Sequence, residues 1–172
     1  MAAGTCIYAG MRKKVLGKRI HEKLANVILF GAALFFSQLP DIDSAAGIWF
    51  GDFGAYHNNL THSLFVGLAV AAATGWLAPV LTGASYKWGF LFVLICYELH
   101  VLMDFVTVGR GVMLFWPITA QRFQSPVKLF YGLHWSQGWT SPSHLLTLAN
   151  ELAFVLVLYL GYRLIQRRLA DA

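Results

Sequence analysis

Four apolar runs, each close to the length of a bilayer crossing, constrain this chain more than any other feature. They cover residues 24–39, 64–82, 88–108 and 145–165. A membrane-crossing helix needs about 20 mostly apolar residues, with ~17 as a lower bound, so the first run is short and the other three qualify. None shows the strict apolar and polar alternation that a membrane β-barrel strand requires. The expected fold is therefore all-α: an integral membrane helical bundle of about four transmembrane helices. A chain that is 58% hydrophobic and 12% charged exceeds the apolar share of soluble domains, which again calls for lipid. No internal repeat and no linker-like stretch divides it, which predicts one membrane-embedded domain over residues 1–172.

Charge placement orients the bundle. Of 13 Lys and Arg residues, ten fall on the side that would hold both termini: Arg12, Lys13, Lys14, Lys18, Arg19 and Lys23, then Lys87, then Arg163, Arg167 and Arg168. Arg110, Arg122 and Lys128 fall on the other. This asymmetry predicts cytoplasmic termini, with a basic cytoplasmic segment over residues 1–23. A net charge of +5 laid out in this way reads as a topology signal against anionic headgroups, and no nucleic-acid partner is expected. Cys6 and Cys96 suggest neither a disulfide framework nor a thiolate zinc site. The N-terminus shows no short apolar core followed by a small-residue cleavage site, so no removable signal is expected. Residues 40–63 and the long loop 109–144 then face outward. The second loop is aromatic-rich, with Phe115, Trp116, Phe123, Phe130, Tyr131, Trp135 and Trp139, as befits chain in the headgroup zone.

Most of the eight carboxylates and six histidines gather at that outer boundary. Asp41 and Asp43 follow Pro40, which is expected to stop the first helix. His57 and His62 precede the second span. His100 and Asp104 lie four residues apart on one face of the third, roughly 12 Å and roughly 6 Å from its expected outer end at 1.5 Å per residue. An ionisable group at such depth is costly unless paired or metal-bound, which makes it a functional candidate by default.

Three imidazoles and three carboxylates suit a divalent cation: zinc, with manganese or iron as alternatives, held by Asp41, Asp43, His57, His62, His100 and Asp104. A bound water of lowered pKa could then attack an ester, phosphate or amide, with a carboxylate, Asp43 or Asp104, accepting the proton. Each residue also has an ordinary alternative. Asp41 or Asp43 could cap a turn, and Thr61 and Ser63 are N-cap candidates for the second span. Glu98 is expected to point away from the cluster and pair with another span. Glu151 is a candidate for orienting a ligating histidine, or a helix-packing residue. His134 and His144 are read as interfacial, His21 and Glu22 lie on the opposite side, and Asp52 is divided between a turn role and a substrate-facing one.

At these residues the chain resembles the membrane-bound metal-dependent hydrolases of the YdjM type, which include a LexA-regulated inner-membrane member. The matching stretches are Pro40-Asp41-Ile42-Asp43, then His57 to Ser63, then His100 to Gly109 with Asp104 and Thr107, then Phe115-Trp116-Pro117. Asn58-Asn59 stands where the family has Arg-Gly, and the family's early histidine helix has no counterpart ahead of the first span. The resemblance implies a hydrolase of the bacterial inner membrane with the six residues above in metal-binding positions and Thr61 and Thr107 beside them. A site at the headgroup boundary fits a lipid or lipid-linked substrate. The alternative is a non-enzymatic membrane protein: a metal or proton transporter, or a structural or regulatory protein.

Overall fold

The structure is a computed structural model that describes residues 11, 15, 22–51, 56–132 and 140–170. Arg12, Lys13, Lys14, Lys18 and Arg19, together with Cys6, His21, Asp52, His134, Trp135 and Trp139, lie outside the described residues. Among the described residues there is no strand, and four helical stretches are long and apolar enough to cross a membrane: Lys23–Phe50, Leu64–Leu81, Tyr86–Phe105 and Ser143–Leu164.

The first crossing corrects the expectation that Pro40 stops it. Helix α1 (Glu22–Gln38) passes through a 3-10 turn (Leu39–Asp41) into α2 (Ile42–Phe50). Pro40 occupies the opening of that turn, where no backbone N–H is needed, so the proline redirects the helix without ending it. Gly51, left-handed at φ 74°, closes α2 and donates to the carbonyls of Gly47 and Ile48. Asp41 and Asp43 thus belong to a helical bend and not to a loop, which fixes their directions.

The second crossing is broken into α3 (Leu64–Thr74) and α4 (Leu77–Leu81). The third, α5 (Tyr86–Phe105), packs against α1, α3 and α4. Glycines permit that approach: a Cβ on Gly75 would lie 2.8 Å from the backbone of Phe90, and one on Gly89 would clash with the Gly75 carbonyl. Val15, Leu29, Ala33, Phe36, Ala71, Phe92, Val93 and Cys96 form the core between these helices.

α5 ends three residues earlier than expected. The Thr107 hydroxyl turns back to the Met103 carbonyl at 2.7 Å, and the Thr107 N–H bonds the Asp104 carbonyl at 3.1 Å. The expected depths change accordingly. Asp104 is about 1.5 Å and His100 about 7.5 Å from the helix end at 1.5 Å per residue, so the aspartate stands at the end of α5.

The loop after α5 folds back over this end. Val112 and Phe123 exchange backbone hydrogen bonds at 2.9 and 2.8 Å, and the Leu64 N–H reaches the Leu114 carbonyl at 3.0 Å. Ser63 caps α3 by accepting from the Phe65 N–H at 3.2 Å while its hydroxyl donates to the Trp116 carbonyl at 2.5 Å. The final helix, α6 (Ser143–Ala170), meets the loop through Asn150, which accepts from the Tyr131 N–H and donates to the Leu129 carbonyl, and through the Phe130–Phe154 ring pair. Its many exposed leucines suit a lipid-facing span.

Candidate metal centre

The bend at Pro40, the loop before α3 and the last turn of α5 meet at one end of the bundle. Asp41 Oδ1 lies 3.2 Å from His57 Nδ1, 3.5 Å from His62 Nε2 and 3.4 Å from His100 Nε2. Asp104 Oδ2 lies 3.2 Å from His62 Nε2, 3.7 Å from His100 Nε2 and 3.8 Å from His57 Nε2. Ligand atoms of Asp41, His57, His62 and Asp104 all fall within 4.8 Å of one another, and His100 adds its Nε2 to both aspartates.

Two observations test whether these residues fit a metal. Asp41 Oδ1, His62 Nε2, His100 Nε2 and Asp104 Oδ2 are all buried without a hydrogen-bond partner, although such atoms normally find one. Their separations also match a coordination polyhedron. Four N and O ligands at about 2.0–2.2 Å from a tetrahedral ion stand about 3.3–3.6 Å apart, and the four aspartate-to-histidine distances among these atoms run from 3.2 to 3.7 Å. The donor set fits a divalent ion of zinc size.

Asp43 is placed differently. Its Oδ2 accepts from the Asn59 N–H at 2.9 Å and lies 3.0 Å from His62 Nδ1, while its Oδ1, buried and without a hydrogen-bond partner, is 3.8 Å from His57 Nδ1. It grips the far side of the His62 ring, the place of a carboxylate that orients a ligating imidazole. Ser44 Oγ plays a comparable part at 3.0 Å from His57 Nδ1.

Loop histidines in such company hold protons tightly. Burial alone would lower the His57 pKa, but the Asp41 and Asp43 carboxylates overcome it and push the group up to about 9. For His62 burial is likewise outweighed, by Asp104, Asp41 and Asp43, and the group rises to about 10. The pocket therefore attracts positive charge, whether protons or a metal ion.

Supporting residues come from each element. The Tyr97 hydroxyl on α5 donates to the Thr61 carbonyl at 2.5 Å and steadies the loop between the two histidines. The Thr61 hydroxyl lies beside Asp43 without closing a hydrogen bond. Asn58, left-handed at φ 61°, turns the loop outward. Arg110 then donates to the His57 carbonyl, and Arg122 donates to the Asn58 carbonyl at 2.8 Å, to the Gly111 carbonyl at 3.1 Å and to Asn59 Oδ1. The Arg122 pKa is lowered first by burial and then by the charge of Arg110, with Asp43 opposing.

Six of the residues singled out in the sequence are thus brought together: Asp41, Asp43, His57, His62, His100 and Asp104. Others are not. Thr107 is spent on terminating α5, and Glu151 is exposed on α6 with no contact to the cluster among the described residues. Glu98 does face another span, lying against Gly67 of α3 with both carboxylate oxygens buried and lacking a hydrogen-bond partner. Sequence reasoning missed Ser44, Tyr97, Arg110 and Arg122. Tyr97 had a signal, since it lies three residues before His100 and seven before Asp104, on the same helical face.

The chain is similar to known inner membrane proteins. A family profile described as "YdjM inner membrane protein" matches residues 1–170. The chain is 31% identical over 130 residues to "Inner membrane protein YbcI" of Escherichia coli strain K12, which covers 73% of this chain and 69% of that relative. No solved structure matches it.

Proposed function

Because this chain belongs to the YdjM family of inner membrane proteins, we propose that it is a membrane-bound metal-dependent hydrolase acting on an ester or phosphoester of a lipid or lipid-linked substrate. The observation that carries this reading is the convergence of four buried, unpartnered ligand atoms, from Asp41, His62, His100 and Asp104, at the spacing of a zinc site. His57 stands at its edge as a further ligand. Manganese or iron would also suit the donor set. A divalent ion held there would supply a water acidic enough to ionise near neutral pH.

The chain's own residues have separable parts. Asp43 fixes His62 in the tautomer that leaves Nε2 toward the ligand cluster, and its Oδ1 is the open carboxylate oxygen that receives the proton of an attacking water. Asp104 shares the negative charge on the opposite side. The site lies at the boundary end of the bundle, so a lipid headgroup reaches it without leaving the bilayer. In this reading residues 1–172 act as a single domain, with both termini cytoplasmic and the cluster outward.

Transport is the competing reading, and the core disfavours it. A path would need polar groups along the bundle, whereas below the cluster α1 and α5 present Leu29, Ala33, Phe36, Phe92, Val93 and Cys96, with Glu98 the one carboxylate buried against α3 among the described residues. The deciding experiment is elemental analysis of detergent-purified protein beside Asp41→Ala and His62→Ala, followed by turnover assays on lipid esters and phosphoesters. Stoichiometric metal lost from both variants, with metal-dependent turnover in the parent, is the expected result. A metal-free parent would leave a structural or regulatory protein.

A further inference from the structure

The last span is tied to the loop after α5 near its start. Asn150 and the Phe130–Phe154 ring pair make two of these ties, and the buried Thr147 makes a third, its hydroxyl donating to the Gly132 carbonyl at 2.6 Å. From Val155 to Leu160 every residue of α6 is exposed. Beside the ties, loop and helix leave an open cleft of about 360 Å3, walled by Val108, Leu129, Phe130 and Leu146 and shared by Lys128 and Asn150. No ligand of the candidate metal centre lines it.

Lys128 is the residue in this cleft that calls for a partner. Its ammonium donates to the Thr107 carbonyl at 3.1 Å, just past the end of α5, and forms no ion pair with a carboxylate among the described residues. That bond steadies a carbonyl beyond a helix end, but it uses one of three donors and leaves the charge unanswered. Asn150 likewise spends one amide hydrogen on the Leu129 carbonyl and has a second. The 20 residues of α5 span about 30 Å, the thickness of a hydrocarbon core, which puts Lys128 at the level of lipid headgroups. It also lies on the side of the spans with three basic residues against ten, so it is no part of the topology signal. Exposed Val108, Leu129 and Leu146 around one cation suit a molecule with an anionic head and an apolar tail. A soluble anion would leave those side chains uncovered, and an apolar helix would leave the ammonium unmet.

We propose that the cleft between the loop after α5 and α6 binds an anionic phospholipid, its phosphate on Lys128 and Asn150 and an acyl chain along the exposed face of α6. The lipid fills the gap beside the last span and holds that span against the loop. It is a bound structural partner and not a substrate, so the proposal stands apart from the hydrolase reading.

The test is native mass spectrometry of delipidated protein titrated in detergent with phosphatidylglycerol or phosphatidylcholine, for the parent, Lys128→Gln, Lys128→Arg and Leu146→Trp. Oligomer mass and the lipid-free thermal midpoint are read on every sample. The parent should bind one phosphatidylglycerol in preference to phosphatidylcholine, whose choline cancels the charge. Lys128→Gln should weaken that binding about tenfold, the loss of one charge-assisted contact, while Lys128→Arg keeps most of it. Leu146→Trp retains the charge but fills the cleft from an exposed position, so it should lose the lipid at an unchanged lipid-free midpoint. That variant decides the matter where Lys128→Gln does not fold. Phosphatidylglycerol affinity equal to the parent's in both Lys128→Gln and Leu146→Trp overturns the site. Displacement of the lipid by an equal concentration of glycerol phosphate, which has the phosphate without the tail, overturns it too. A dimer that Leu146→Trp dissociates gives the cleft to a second copy and overturns it as well.

Discussion

Asp43 holds His62 by the ring nitrogen that faces away from the cluster, Oδ2 to Nδ1 at 3.0 Å, which leaves His62 Nε2 3.2 Å from Asp104 Oδ2. A carboxylate only accepts, so Nδ1 keeps its proton, and the proton that His62 gives up on binding a cation is the one on Nε2. The pairing gives Asp43 an orienting place beside the candidate metal site.

Asp43→Asn should therefore weaken zinc about 10–100-fold while keeping its stoichiometry, because an amide can present its N–H to Nδ1 and unsettle the tautomer. Asp104→Ala should abolish stoichiometric zinc. Chelator competition on the purified variants distinguishes the two. Equal zinc affinity in Asp43→Asn and the parent would remove Asp43 from this role.

The raised pKa values of His57 and His62 set a pH dependence for the metal-free protein. Both groups go from an ordinary 6.5 to about 9 and about 10 in the fold, so their protonated forms stabilise it. That contribution is complete below about pH 6.5 and drains away as pH rises through 9 and 10. Zinc affinity moves oppositely, since each ligating imidazole must first lose its proton. Thermal midpoints of chelator-treated protein between pH 6 and pH 10 should fall, while apparent zinc affinity over the same range should rise. A flat metal-free midpoint would show that the histidines are not held as imidazolium.

Orientation can be read by labelling. Asn59 is tied to Asp43 through its N–H and to Arg122 through its side chain, but the next residue, Leu60, is 47% exposed. Leu60→Cys, in a background with Cys6 and Cys96 replaced, should react with a membrane-impermeant maleimide on intact spheroplasts. Labelling only after permeabilisation would place the cluster on the cytoplasmic side.

Ser63 joins two elements with one hydroxyl, capping α3 and holding the Trp116 carbonyl. Ser63→Ala removes the cap and leaves the part-buried Trp116 carbonyl without this donor, a loss of about 1–3 kcal/mol in all. The expected outcome is a lower thermal midpoint with zinc still bound, because none of the ligand atoms changes. Loss of zinc in a variant with an unchanged midpoint would mean that Ser63 acts on the site and not on the scaffold.

The parts of this architecture legible in sequence are those written in local chemistry. Long apolar runs mark the spans, and Asp41, His57, His62, His100 and Asp104 stand out because charge is scarce in such a chain. Pro40 is not legible in the same way, because proline both stops helices and opens 3-10 turns, and the residue type alone does not decide which. Arg122 was illegible for another reason: it reaches Asn58 and Asn59 across 64 and 63 residues, through a loop whose path no periodicity records.

Gly67 bears on the candidate site through Tyr97. A Cβ at Gly67 on α3 would clash with Glu98 Oε1 and stand 2.7 Å from the Tyr97 ring. The glutamate end can swing aside, but the tyrosine ring is fully buried and its hydroxyl holds the Thr61 carbonyl one residue before His62. Gly67→Ala should therefore push Tyr97 off its partner, lower the thermal midpoint and weaken zinc. Tyr97→Phe, which removes only the hydroxyl, should reproduce most of the loss in zinc affinity with less of the loss in stability. If Gly67→Ala lowers the midpoint while zinc affinity stays at the parent value, the helix contact and the metal loop are uncoupled and Tyr97 serves packing alone.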